Sequence, residues 1–159
     1  MATDNQARES DVESIDSIIA AAYGVISGEA GEKRDWDRLR SLFAPGARMI
    51  PTSREAGVRI PDEQTPEPLS VESYISRVEE YFQTNGFYEI EVARRMEQFG
   101  RIAHALSTYE SRHSPEDPLP FMRGINSIQL YHDGRRWWIV TILWQHEQAD
   151  SPIPDKYLA

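Results

Sequence analysis

The sequence predicts an α+β fold in which N-terminal helices pack on a curved antiparallel sheet. Three observations predict it. Apolar residues recur at three- and four-residue steps through the first part of the chain. After Asn85-Gly86 the spacing changes to two. From there strands follow one another through turns with no helix between them. Runs of strands joined by hairpins argue for antiparallel pairing.

Residues 1–9 are polar, and a disordered N-terminus is expected there. From Asp11 the residues Val12, Ile15, Ile18, Ile19, Ala22, Tyr23 and Ile26 fall on one helical face. The segment Gly28 to Gly31 ends that helix, because glycine takes the left-handed cap at little cost. Asp35 caps a second, short helix with Trp36, Leu39, Leu42 and Phe43 inward, and Pro45-Gly46 stops it. A strand is expected over 47–53. Residues 54–69 hold Gly57, Pro61, Pro66 and Pro68 and read as a long irregular loop, either a binding loop or a surface insertion. Ser70 caps a third helix to about Thr84, with Val71, Tyr74, Ile75, Val78, Tyr81 and Phe82 as its apolar face.

In the next strand Tyr88, Ile90 and Val92 alternate with Glu89 and Glu91, which reads as an apolar inner face and a wet carboxylate face. Further strands are expected over 101–112, 125–131 and 136–146. A proline-rich loop lies at 114–120 and a tight turn at His132-Asp133-Gly134. The domain therefore spans 10–147, with 148–159 as a C-terminal tail.

In the last strand both parities are apolar. Trp137, Ile139 and Leu143 point one way; Trp138, Val140, Ile142 and Trp144 point the other. Helices cover one face of a single sheet, so the pattern predicts a homodimer packed through the outer face. The alternative cover is a loop or the C-terminal tail, Ser151 to Ala159.

Composition narrows the function. The net charge is −9, which opposes nucleic acid and anionic membrane surfaces. The longest apolar run, Ile18 to Ile26, is far short of the ~20 residues of a spanning helix. The polar start shows no signal peptide, so a cytoplasmic location is expected. With no cysteine, thiolate chemistry and disulfides are excluded. No phosphate loop, dinucleotide fingerprint, nucleophile elbow or zinc-protease motif is present, and the four histidines show no ligand spacing; no cofactor or metal is expected. Glu79 and Glu80 lie on a polar helix face and are expected in solvent. Arg94 and Arg95 are expected as exposed ion-pair partners, and His146 and Glu147 as rim residues.

Several phrases carry a resemblance. Asp35 to Ala44, running into Ala47-Arg48-Met49-Ile50, resembles the second helix and first strand of the nuclear transport factor 2-like superfamily, and within it the SnoaL-like proteins. Asp133-Gly134 followed by Trp137 to Val140 resembles the final hairpin of that fold, and Ala103 to Tyr109 its middle strand. The likeness covers roughly residues 10–147. It implies a cone-shaped, cystatin-like architecture with an internal pocket. Members of the superfamily include steroid isomerases, dehydratases, polyketide cyclases, small oxygenase subunits and non-catalytic scaffolds, so the fold alone does not select a function.

The resemblance also implies site residues. Tyr23 resembles the tyrosine donor of the ketosteroid isomerases. Asn126 falls near the acid that completes their oxyanion site, and an amide can donate there too. The isomerase aspartate base is absent, since that region reads Met49-Ile50-Pro51-Thr52. The Tyr-Asp pair of scytalone dehydratase is absent as well, at Ala30 to Lys33, and His104 and His113 do not match its histidines.

Ala103, Ala105 and Ser107 are small residues on one parity of a strand. They leave volume either for a pocket or for close helix packing. Tyr23, Met49, Tyr109, Asn126 and Trp144 are the candidate pocket residues, and Tyr23, Asn126 and His104 the candidate catalytic ones. His104 has the opposite parity to the alanines; with the parity reversed it becomes the acid–base candidate. The expected function is cofactor-free isomerisation, dehydration or cyclisation of a small apolar, oxygen-bearing molecule. The alternatives are a non-catalytic ligand-binding or dimeric scaffold, and a small accessory subunit of an oxygenase.

Overall fold

Three helices lie on one face of a five-stranded sheet in a computed structural model that describes residues 6–52 and 67–159. A short turn of helix, α1 (Glu9–Val12), precedes α2 (Ile15–Ile26). The continuous helix expected from Asp11 is therefore broken at Glu13-Ser14, and helical structure begins within the segment expected to be disordered. Ser14 explains the break. Its hydroxyl accepts from the Ser17 backbone while Ser17 reaches back to the Ser14 N–H, a reciprocal cap that starts a new helix. Asp35 and Ser70 cap α3 (Trp36–Leu42) and α4 (Val71–Thr84), each side chain accepting from the backbone N–H three residues on, as the sequence predicts.

The strands are β1 (Phe43–Pro51), β2 (Tyr88–Phe99), β3 (Ile102–Arg112), β4 (Met122–His132) and β5 (Trp137–His146), in spatial order β1-β5-β4-β3-β2. Four are joined by antiparallel pairing, but β1 pairs parallel with β5, so the sheet is mixed rather than purely antiparallel. This pairing joins segments about 90 residues apart in the chain, beyond the reach of local pattern. The loop expected over 54–69 lies outside the described residues up to position 66. At its end, Leu69 bridges to Met49. Among the described residues, no helix is long and apolar enough to cross a membrane.

Two irregularities decide which side chains face the helices. In β2 the register shifts between Glu91 and Ala93, leaving Val92 as an extra residue; in β5 it shifts at Val140, opposite Gln129 and Leu130. Each bulge bends its strand and exchanges its two faces. Trp137 and Ile139 therefore point inward before the bulge, and Ile142, Trp144 and His146 after it. The doubly apolar pattern of β5 is largely the trace of this switch. It is a correction to the expected assignment, in which Leu143 shared a face with Ile139. In β2 the expected faces are exchanged outright. Ile90 and Val92 are 52% and 41% exposed, while Glu89 and Glu91 turn toward the helices.

The core is one cluster. Ile18 and Ile19 of α2, Leu39 and Leu42 of α3, and Ile139 of β5 are essentially inaccessible. Each such side chain contributes about 1.5–3 kcal/mol by burial. On the outer face the tail returns across the sheet. Thr108 Oγ1 donates to the Tyr157 carbonyl at 2.6 Å and Arg95 Nε to that of Lys156 at 2.6 Å. The tail therefore covers the β2–β3 part of that face. Val140, Leu143 and Tyr131 stay 36–40% exposed further along it.

Candidate functional site

Between α2, α4 and the inner face of the sheet lies a cavity of about 390 Å³. Its walls are mostly apolar: Ile26, Phe43, Met49 and Leu69 on one side, Phe82, Phe87, Ile128 and Ile142 on others. Apolar walls with few polar groups, at a volume of roughly 300–1,000 Å³, are the usual form of a small-molecule site. The small inward residues Ala105 and Ser107 of β3 are fully buried, and Ser107 lies against Tyr23 of α2. Of the two uses open to Ala103, Ala105 and Ser107, the structure shows close packing: none of the three lines the cavity.

The polar end is assembled by three elements. Tyr23 comes from the last turns of α2, Asn126 from β4 and Glu89 from β2. The Tyr23 hydroxyl lies 2.7 Å from Ser107 Oγ, and Asn126 Nδ2 donates to it at 3.0 Å. Ser107 Oγ in turn donates to Glu91 in a short hydrogen bond. Arg94 Nη2 holds Glu91 at 2.8 Å, and its Nη1 reaches Asp16. The chain of contacts thus runs from the cavity to a solvent-exposed ion pair. Glu89 accepts from Ser111 Oγ at 3.1 Å. Burial pushes the Tyr23 phenol well above its ordinary range, reinforced by the charge of Glu89 and opposed by its hydrogen bonds with Ser107 and Asn126. Tyr23 is therefore a neutral phenol near pH 7.

Tyr109 forms part of the floor, buried with its ring edge-on to His146. It fits because residue 124 is glycine. A Cβ there would lie 2.5 Å from the Tyr109 hydroxyl and 2.4 Å from the Gln145 carbonyl oxygen. Arg34, which the sequence reading passed over, is 4% exposed and closes the turn after α2. Its guanidinium donates to the carbonyls of Ile26, Gly28, Glu29 and Glu32 at 2.8–3.1 Å.

The structure brings Tyr23, Met49, Tyr109, Asn126 and Trp144 to this one cavity. It does not bring His104 there. That side chain points to the outer face, where Nε2 lies 2.8 Å from Ser127 Oγ, so the candidate acid–base role for His104 is withdrawn. His113 is exposed and stacks on Phe121. Two other expectations change: Arg94 is half-buried on the inner face instead of exposed, and His146 is buried instead of at a rim. Glu80 is exposed as expected, and it also lines the cavity. Sequence reasoning missed Glu89 and Glu91 because alternation assigns carboxylates to the wet face. A signal for them existed: Ser107 and Ser111 on the inner parity of β3 are hydroxyl donors that buried carboxylates require.

Fold and site together define a small α+β protein with a mostly apolar, sheet-floored pocket. No protein-family model matches the chain, and no curated protein matches it. Among solved structures it is similar in fold to an NTF-2-like protein of unknown function from Silicibacter pomeroyi DSS-3. That pair shares 16% identity over 84% of this chain and 99% of the other, with a TM-score of 0.47. It is likewise similar to an NTF2-like protein of unknown function from Shewanella baltica OS155, at 17% identity over 86% of this chain and 98% of the other, with a TM-score of 0.46.

Proposed function

We propose that the chain binds a small, mostly apolar molecule bearing an oxygen function and transfers a proton on it, with Glu89 as the base. The observation that carries this reading is the convergence of a carboxylate, an amide and a neutral phenol on one apolar cavity. A carboxylate within reach of a bound molecule's carbon acid can serve as its general base. Glu89 takes a proton from a carbon beside the oxygen function. The electron pair left behind spreads onto that oxygen, which an Asn126 N–H stabilises. Returning the proton to a neighbouring carbon isomerises the molecule; loss of a β-hydroxyl as water dehydrates it. Neither course requires a group beyond the side chains named, in keeping with the isomerases, dehydratases and cyclases that the sequence resembles.

The test is proton exchange. A panel of β-hydroxyketones and enones on bicyclic skeletons is incubated with the protein in D₂O and followed by ¹H NMR. At least one member is expected to exchange its α-protons, and Glu89→Gln to slow that exchange by about 10²-fold or more. A panel member that binds but exchanges equally fast with both proteins assigns the cavity to binding alone.

A further inference from the structure

Two groups at the polar end of the cavity can donate a hydrogen bond to a ligand's oxygen, the Tyr23 phenol and the Asn126 amide, and their own contacts choose between them. Glu91 is held as a carboxylate in its ion pair with Arg94, and a carboxylate only accepts hydrogen bonds. Ser107 therefore gives its single proton to Glu91. In the 2.7 Å contact between Ser107 and Tyr23 the phenol is then the donor. Its one proton points at a side chain that does not line the cavity. The Tyr23 oxygen is left to accept, and Asn126 Nδ2 donates to it at 3.0 Å. That nitrogen carries a second proton, and Asn126 lines the cavity.

We infer that Asn126 alone of these two donates to the ligand's oxygen, and that Tyr23, Ser107 and Glu91 are positioning residues acting through it; the inference rests on the proton-transfer reading of this site. Turning the phenol proton toward a ligand would leave the Tyr23 and Ser107 oxygens 2.7 Å apart with no proton between them. Burying such a pair costs more than one new hydrogen bond returns. The phenol stays turned away and has another task. The two ends of an amide are alike in shape, so only hydrogen-bond partners choose which way it faces. A Tyr23 oxygen with no proton to give takes the N–H end and keeps the carbonyl end off. The choice originates at Glu91 and passes through Ser107 and Tyr23 to the amide. The two tasks of the proposed reaction thus fall to separate residues: Glu89 takes the proton from carbon, and Asn126 meets the oxygen.

The probe is 2-decalone labelled with ¹³C at its carbonyl carbon. Its binding is followed by ¹³C NMR and its α-proton exchange in D₂O by ¹H NMR. The carbonyl signal moves downfield with each hydrogen bond the oxygen receives. Ser107→Ala removes the phenol's acceptor and turns its proton to the ligand. The bound signal is then expected downfield of its wild-type position, and affinity to rise about fivefold, the value of about one hydrogen bond. Glu91→Leu frees the Ser107 proton for the Tyr23 oxygen and moves both readouts the same way. Adding Tyr23→Phe to either variant abolishes both gains. Damage to the fold weakens binding, so a gain separates positioning from structure. With Ser107 in place, Tyr23→Phe is expected to slow exchange less than about tenfold and Asn126→Leu by about 10²-fold or more, the cost of a lost oxyanion donor. A Tyr23→Phe protein as slow as Asn126→Leu overturns the inference, as do Ser107→Ala and Glu91→Leu proteins that both keep the wild-type signal and affinity. Exchange indifferent to Glu89→Gln instead removes the proton-transfer reading, while the signal positions still decide which group donates. A ketone that does not bind removes both.

Discussion

Replacing Gly124 by alanine tests the floor of the cavity with the smallest perturbation available. The added methyl would sit 2.4 Å from the Gln145 carbonyl oxygen, 2.5 Å from the Tyr109 hydroxyl and 2.7 Å from its Cζ. Two of these atoms belong to a buried ring and one to the backbone of the neighbouring strand, so no flexible side-chain end can move aside. Overpacking of this kind costs about 1–3 kcal/mol. For a chain of this length that corresponds to a fall in Tm of about 2–4 °C per kcal/mol, or roughly 4–8 °C for a cost near 2 kcal/mol. Gly24→Ala is the internal control. That glycine is on the exposed side of α2 with nothing within 4 Å of its added carbon, and helix propensity favours alanine there by about 1 kcal/mol. The same chemical change is thus expected to raise Tm at position 24 and lower it at 124, as read by circular dichroism. Adding Tyr109→Phe to Gly124→Ala recovers only part of the loss, because the Gln145 carbonyl remains. A Gly124→Ala protein as stable as the wild type would refute the placement of Tyr109.

Three further outcomes follow from the same coordinates. Arg34→Met removes four hydrogen bonds to carbonyls and a cation–π contact of 4.5 Å to Phe82; a loss of about 3 kcal/mol, or roughly 6–12 °C in Tm, is expected, and a loss under 1 kcal/mol contradicts its role. Asp11 pairs with Arg38 through both oxygens at 2.8 and 2.9 Å, and hydrogen bonds from Arg38 hold its carboxyl below the ordinary value of 3.8. A depressed folded-state pKa contributes stability that is full above the unfolded value and is lost as pH falls through the folded one. Asp11→Asn should therefore flatten the acid side of the Tm-against-pH curve below about pH 4, and an unaltered acid limb would exclude this contribution. Finally, the exposed rung of Val140, Leu143 and Tyr131 is expected to be covered by a second copy. Light scattering should give twice the chain mass of 18.3 kDa, and Leu143→Glu should give the monomer; a monomeric wild type ends that reading.

What the sequence disclosed and what it hid follow from the range of the interactions. The caps at Asp35 and Ser70 act within four residues, and both were legible. So was the order of strands after Asn85. Tyr23, Asn126 and Trp144 could be grouped because each sits at a fixed place in a recognisable element. The pairing of β1 with β5 was hidden because parallel strands leave no turn signature between them. The bulges were hidden for a different reason. Val92 and Val140 are ordinary strand residues, and their extra place shows only against the partner strand. Each bulge moves every later side chain to the other face, so a parity argument that ignores it inverts half a strand.

Glu89 precedes the β2 bulge and faces the helices on its own parity, which makes it a candidate base, and its stability effect separates chemistry from structure. A carboxylate turned into an apolar cavity is tolerated when hydroxyl donors satisfy it, and Ser111 supplies one at 3.1 Å. Glu89→Gln keeps an oxygen for Ser111 to donate to and removes only the charge and the basicity. If the residue serves proton transfer, the variant should melt within about 2 °C of the wild type, or above it, since a charge near the buried phenol is gone. It should still lose its α-proton exchange by about 10²-fold or more. A structural role gives the opposite pair of results: Tm falls by several degrees while exchange, measured at a temperature where both proteins are folded, survives. The two measurements on one variant therefore decide whether the carboxylate faces the cavity for its chemistry or for the fold.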